Sequence, residues 1–178
     1  MYRHVVVFTA FIALLLLLAN YFTGGLFYVN KTISAPRGIY MAKWNDGWNY
    51  NDFVLMITNQ DYGKYKAGYK MLKHVRGMQG DTYTVEENQL IMNGNKYPIY
   101  HVKQIPQLPK GTYVIPAHKY MMMNDPKRSF DSRYIGLIDE SQLKRELVLF
   151  YSYEPVYELS EKWEKFDITV WIRTLLGK

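Results

Sequence analysis

The chain contains no cysteine among its 178 residues. That excludes a disulfide framework, a Cys-based zinc site, an iron–sulfur cluster and a cysteine nucleophile. Histidine is scarce as well. His4, His74, His101 and His118 lack close ligand spacing and form no HExxH pattern, so the sequence implies no metal and no cofactor. A GxSxG elbow, a phosphate-binding P-loop, an internal repeat and a low-complexity tract are all missing. Acidic residues are outnumbered, 16 against 22 Lys+Arg, for a net charge of +6. The excess is scattered, with no local group larger than a pair such as Lys127-Arg128, and no basic stripe of the kind nucleic acid requires. It reads instead as a solvated basic surface beside anionic lipid headgroups.

Long hydrophobic runs are missing too, except at one place. Residues 5–22, VVVFTAFIALLLLLANYF, carry no formal charge over 18 positions. About 20 apolar residues cross the hydrocarbon core as a helix, so this run with its flanks is long enough. Arg3 and His4 precede it and no charge follows until Lys31. The positive-inside tendency then keeps residues 1–4 cytoplasmic and sends 23–178 across the membrane, into the periplasm behind a bacterial inner membrane. The run is long for a signal-peptide core, and Thr23 and Gly25 make a poor small-x-small cleavage pattern. An uncleaved signal anchor is therefore expected over a cleaved leader, with Tyr21, Phe22, Phe27 and Tyr28 in the outer headgroup belt.

Beyond the anchor, apolar residues come in short runs separated by turn signals. The pattern predicts strands over 38–42, 53–58, 69–76, 82–86, 89–92, 96–98, 112–115 and 147–154. Asn93-Gly94, between LIM and KYP, is the strongest hairpin signal, because a type I′ turn needs positive φ at both central residues. Helical periodicity shows only near the C-terminus, where Trp163, Phe166, Val170 and Trp171 fall on one face. The expected architecture is mainly β: a compact antiparallel sheet domain behind one N-terminal transmembrane helix. Within it Asp52, Asp81, Asp125 and Asp131 form no evident acid/base pair. A Ser-His-Asp triad stays open, since its members need not be adjacent in sequence.

Three segments, in this order, resemble the type I signal peptidase family of serine proteases. Residues 30–40, NKTISAPRGIY, resemble its nucleophile box. Ser34-Ala35-Pro36-Arg37-Gly38-Ile39-Tyr40 fits the Ser-x-Pro-x-Gly-x-Tyr form of the TraF-type conjugative-transfer peptidases at every fixed position. Residues 69–81, YKMLKHVRGMQGD, are similar to the box that supplies the catalytic lysine, with Lys73, Val75, Gly77, Gly80 and Asp81 matching. Residues 121–136, MMMNDPKRSFDSRYIG, resemble the Ser-x-Asp-Ser-Arg-Tyr-x-Gly box. Gln79 stands where the family often has proline, and Asn51-Asp52 and Asn124-Asp125 replace Gly-Asp pairs.

The resemblance implies a fold of the signal-peptidase type and a Ser/Lys dyad. Ser34 is the implied nucleophile and Lys73 its general base. Thr32 is the implied oxyanion donor with the Ser34 N–H, Ser129 the residue that orients the lysine, and Asp131 with Arg133 a structural ion pair. The implied partners are an exported precursor, most closely a propilin or other conjugative-transfer precursor, together with membrane lipid and the transfer machinery. A general type I signal peptidase is the alternative within the class. A non-catalytic pilus-assembly subunit is the alternative outside it, and should have lost the serine or the lysine.

Overall fold

The computed structural model describes residues 2–164 other than 23–24, 45, 102, 104, 106 and 126–128. Helix α1 (Tyr2–Phe22) opens the chain. At 1.5 Å per residue it is about 31 Å long, matching the hydrocarbon core. Over residues 2–21 none of its apolar side chains is buried against the rest of the protein. It starts three residues before the expected anchor. Asn20 closes its end, the carbonyl accepting from Gly25 N at 2.8 Å and the side chain from Leu26 N at 2.8 Å.

Two antiparallel sheets follow. The larger has seven strands in the order β1 (Phe27–Asn30), β2 (Gly38–Lys43), β11 (Leu143–Ser152), β3 (Phe53–Ile57), β4 (Lys70–Gly77), β9 (Lys119–Met123) and β10 (Ile138–Asp139). The smaller runs β7 (Asn95–Pro98), β6 (Gln89–Met92), β5 (Thr82–Val85) and β8 (Gly111–Val114). Short helices α2 (Ser132–Ile135) and α3 (Glu154–Glu164) complete the described elements, with one 3₁₀ turn at Glu140–Gln142. All eight expected strands are present, their ends shifted by up to four residues. The β6–β7 hairpin turns at Asn93-Gly94, with φ of 48° and 76°, the left-handed values its turn type demands.

Three strands escaped the sequence pattern. β1 uses Phe27 and Tyr28, expected at the headgroup belt, to pair with Met41 and Tyr40 of β2. β9 is packed on both faces: Met121 and Met123 enter the core beneath the small sheet with Leu90, Met92 and Ile115, while Met122 enters a second core with Val54, Met56 and Val75. A strand buried on both sides shows no polar alternation. β10 is only two residues long. The third core joins Ala35, Tyr40, Leu72 and Leu147, and so packs the 32–36 loop onto the sheet. Of the expected C-terminal apolar face, Phe166, Val170 and Trp171 lie outside the described residues, as does the Trp163 side chain.

Candidate active site

The loop that follows β1 is shaped by Asn30, which is 4% exposed. Its amide donates to the carbonyls of Thr32, Ala35 and Pro36, each at 3.0 Å. Its Oδ1 accepts from Thr32 N at 3.1 Å and Thr32 Oγ1 at 2.8 Å. Such side-chain-to-backbone bonding is how asparagine holds a tight turn. The rest of SAPRGIY locks the same loop in place. Ala35 enters the core, and the Tyr40 hydroxyl donates to Pro36 O at 2.7 Å. Gly38 lies where a Cβ would collide with the Tyr151 carbonyl, at the bulge of β11. Arg37 bonds Glu154 through its guanidinium at 2.7 Å and covers the Tyr157 ring at 3.7 Å, so α3 also clasps the loop. Ser34 stands at the crest, half-buried.

Lys73 arrives from β4, paired with Val54 in the sheet, and is 3% exposed. Its Nζ donates to Ser129 Oγ at 3.1 Å, and among the described residues no carboxylate is in ion-pair contact with it. Burial lowers its pKa to about 8, because an ammonium out of water is disfavoured; Asp131 opposes the shift and Arg133 adds to it. Ser34 and Lys73 line one cleft of about 210 Å³. No hydrogen bond joins them, as is common before a substrate closes the site. Thr32 Oγ1 lies 3.2 Å from Ser34 Oγ and spends its own proton on Asn30, so it accepts from the serine here.

Behind the lysine, Asp131 and Arg133 are both fully buried and bonded in a fork, Nε to Oδ1 at 2.8 Å and Nη2 to Oδ2 at 2.7 Å. Asp131 also caps α2 by accepting from Arg133 N. The sequence-derived residues thus fall into two groups. Ser34, Thr32 and Lys73 border the cleft, and Ser129, Asp131 and Arg133 form the floor behind Lys73.

No histidine lines the cleft that Ser34 shares with Lys73. His74 is half-buried against the Phe53 ring at 4.3 Å, its Nδ1 3.0 Å from Asn51 O, and burial lowers its pKa. It lines with Ser34 a second cavity of about 410 Å³, but makes no hydrogen bond to it. His118 pairs with Glu140 and His101 with Asn88.

A family model described as signal peptidase, peptidase S26, matches residues 2–151. The chain belongs to that family. Among curated proteins it is 26% identical over 124 residues to signal peptidase I U of Bacillus subtilis (strain 168), the match covering 63% of each chain. It therefore spans just under two thirds of that relative's length. A solved signal peptidase I of Enterococcus faecalis V583 aligns at 18% identity and TM-score 0.40, over 59% of this chain and all of that one.

Two residues of this candidate site have no role assigned by the sequence, where Asn124 figures only as a departure from a Gly-Asp pair. Asn30 stands inside the nucleophile segment, and its place at a strand end just before a Thr-x-Ser loop is a signal for an Asx turn. Asn124 is 1% exposed and bonds residues 34, 72 and 74, a connection that no local pattern carries.

Proposed function

We propose that this chain is a membrane-anchored serine endopeptidase that cuts exported precursors with Ser34 as nucleophile and Lys73 as general base. The observation that carries the reading is the buried Lys73, with a single hydroxyl partner and a pKa near 8, in the same cleft as Ser34. A serine hydroxyl needs a base to become a nucleophile, and a lysine serves only when neutral. Lys73 takes the Ser34 proton as Oγ attacks the scissile carbonyl, then returns it to the leaving amine. Water repeats the sequence on the acyl-enzyme. Ser34 N–H and the Thr32 hydroxyl stabilise the oxyanion, Thr32 first turning its proton from Asn30 toward the substrate. Ser129 aims the lysine, and the Asp131–Arg133 pair braces the loop that carries it.

The cleft suits an extended peptide. β9 pairs with β4 only from His74 onward, so at residues 70–72 β3 is the one neighbouring strand, with Leu72 O taken by the Asn124 side chain, and β1 is an edge strand across the cleft. Peptide pairing along such edges gives affinity, and the pockets between them give specificity. Tyr65 stacks on Phe130 at 4.4 Å where both line the cleft, narrowing it. Small residues are therefore expected at positions −1 and −3 of the precursor. In detergent, a precursor with Ala-x-Ala before the cut should be processed, and a bulky residue at −1 should cut kcat/KM at least 10²-fold, a cost of about 3 kcal/mol. Equal processing of the two would refute the cleft assignment.

The closer reading is a TraF-type enzyme acting on a propilin or another conjugative-transfer precursor, beside the transfer machinery. The complete Ser-x-Pro-x-Gly-x-Tyr segment supports it. The match to signal peptidase I U favours a general type I signal peptidase as the second reading. For the topology, residues 1–4 are cytoplasmic, residues 5–22 of α1 are the single anchor in a bacterial inner membrane, and 23–178 are periplasmic. An apolar sheet face supports lipid contact beside the anchor: Phe27, Met41 and Val148 are exposed cross-strand neighbours, with Phe150 against Phe27. Protease added to spheroplasts should degrade the domain. Protection until lysis would overturn the orientation.

A further inference from the structure

Building on the Ser34–Lys73 reading, we infer that Asn124 is the positioning residue that holds the nucleophile loop in register with the lysine strand. The ladder between β4 and β9 ends at His74↔Met123. Asn124 comes next, and its carboxamide continues where the backbone pairing stops. Oδ1 accepts from His74 N–H at 3.2 Å, and Nδ2 donates to Leu72 O at 3.0 Å. These groups flank Lys73, so the amide holds the lysine's backbone as a residue of a neighbouring strand does. Nδ2 also donates to Ser34 O at 2.6 Å. One rigid planar group therefore ties the backbone of the nucleophile to both neighbours of the base. Asparagine supplies two N–H donors and one acceptor from a single short side chain, which is what this junction uses.

Asn124 is itself held from behind. Its N–H donates to Asp131 Oδ2 at 3.3 Å, and its carbonyl accepts from Arg133 Nη2 at 3.2 Å. The buried ion pair, the lysine strand and the serine loop thus meet at one residue. Ser34 Oγ and Lys73 Nζ are not yet bonded, so their approach depends on how these two backbones are set. A drift of about 1 Å in such a geometry costs on the order of 10²-fold in rate.

The test separates positioning from support of the fold and from substrate binding. A small alkyl fluorophosphonate reports the dyad without filling the peptide cleft: Oγ bonds phosphorus, fluoride leaves, and Lys73 receives the serine proton. Asn124→Ala removes the whole junction. Asn124→Asp keeps its shape and its acceptor while losing both amide donors, and serves if the alanine variant does not fold. Per folded molecule, each is expected to react with the probe about 10²-fold more slowly. For a precursor, kcat should fall by the same factor, with KM within about threefold. A folded variant that reacts with the probe at the wild-type rate overturns the inference, as does a loss confined to KM. A wild-type chain inert toward both probe and precursor overturns the dyad itself and the inference with it.

Discussion

Lys73→Met is expected to lower kcat/KM for a precursor by roughly 10³-fold or more and, at neutral pH, to melt at a higher temperature than the wild type. Both effects come from one cause. Folding moves Lys73 from water, with an ordinary pKa of 10.5, into a site where it titrates near 8. That difference corresponds to about 3 kcal/mol against the buried ammonium. Below pH 8 both folded and unfolded chains carry the proton, and the penalty is fully present. Between 8 and 10.5 the unfolded chain binds more protons than the folded one, so stability rises with pH. Above 10.5 both are neutral and the penalty is gone. The melting advantage of Lys73→Met should therefore be largest near pH 7 and shrink as pH passes through that window.

With Lys73 as the proposed base, the same titration also sets the expected kinetic profile. Wild-type kcat/KM should climb about tenfold per pH unit below pH 8 and level off above it. Ser34→Ala should be as inactive as Lys73→Met, and the double variant little worse, because groups that act as a unit are not additive. Lys73→Arg should fail as well, since a guanidinium stays protonated. Replacing His74, His101 and His118 together should leave a folded enzyme active. A Lys73→Met protein that cuts at the normal rate would sink the dyad, and an inactive, folded triple-histidine variant would restore a histidine base.

What the sequence made legible follows from how each feature is encoded. Strands with one wet face, such as β5 and β6, alternate and end at turn residues, so they could be read directly. β9 could not, because Met121, Met122 and Met123 are all fully buried and nothing polar marks the period. β11 began four residues earlier than expected, since Lys144, Arg145 and Glu146 look like a charged loop. Glu146 is in fact buried and receives Lys43 at 2.8 Å from β2. Ser34, Lys73, Ser129, Asp131 and Arg133 stand in contiguous motifs and were visible. The two asparagines stand in the same segments, but no motif position marks their roles. Their chemistry is side chain to backbone, and for Asn124 it reaches 90 positions back along the chain, where only the folded sheet creates the contact.

Arg133→Met is expected to be the most destabilising single change in the floor of the site, by roughly 3–5 kcal/mol, because it strands a buried carboxylate. With domain stabilities of about 5–15 kcal/mol, that loss takes a large share of the whole. Arg133 and Asp131 are both wholly enclosed, and the guanidinium also serves the carbonyls of Asn124 at 3.2 Å and Ser129 at 3.4 Å. Methionine fills the volume but satisfies none of them. Asp131→Asn combined with Arg133→Met removes the stranded charge, so the double variant should recover part of the stability lost by Arg133→Met alone. A second readout follows from the lysine in front. Arg133 lowers the Lys73 pKa and Asp131 raises it, so deleting the arginine leaves the carboxylate unopposed. The acidic limb of kcat/KM in whatever Arg133→Met protein folds should move to higher pH, whereas Arg133→Lys, keeping the charge without the fork, should hold the limb and lose stability. Urea melts of the three variants with matched pH profiles check both claims. An Arg133→Met protein as stable as the wild type, with its limb unmoved, would show that the pair neither braces this loop nor acts on the lysine.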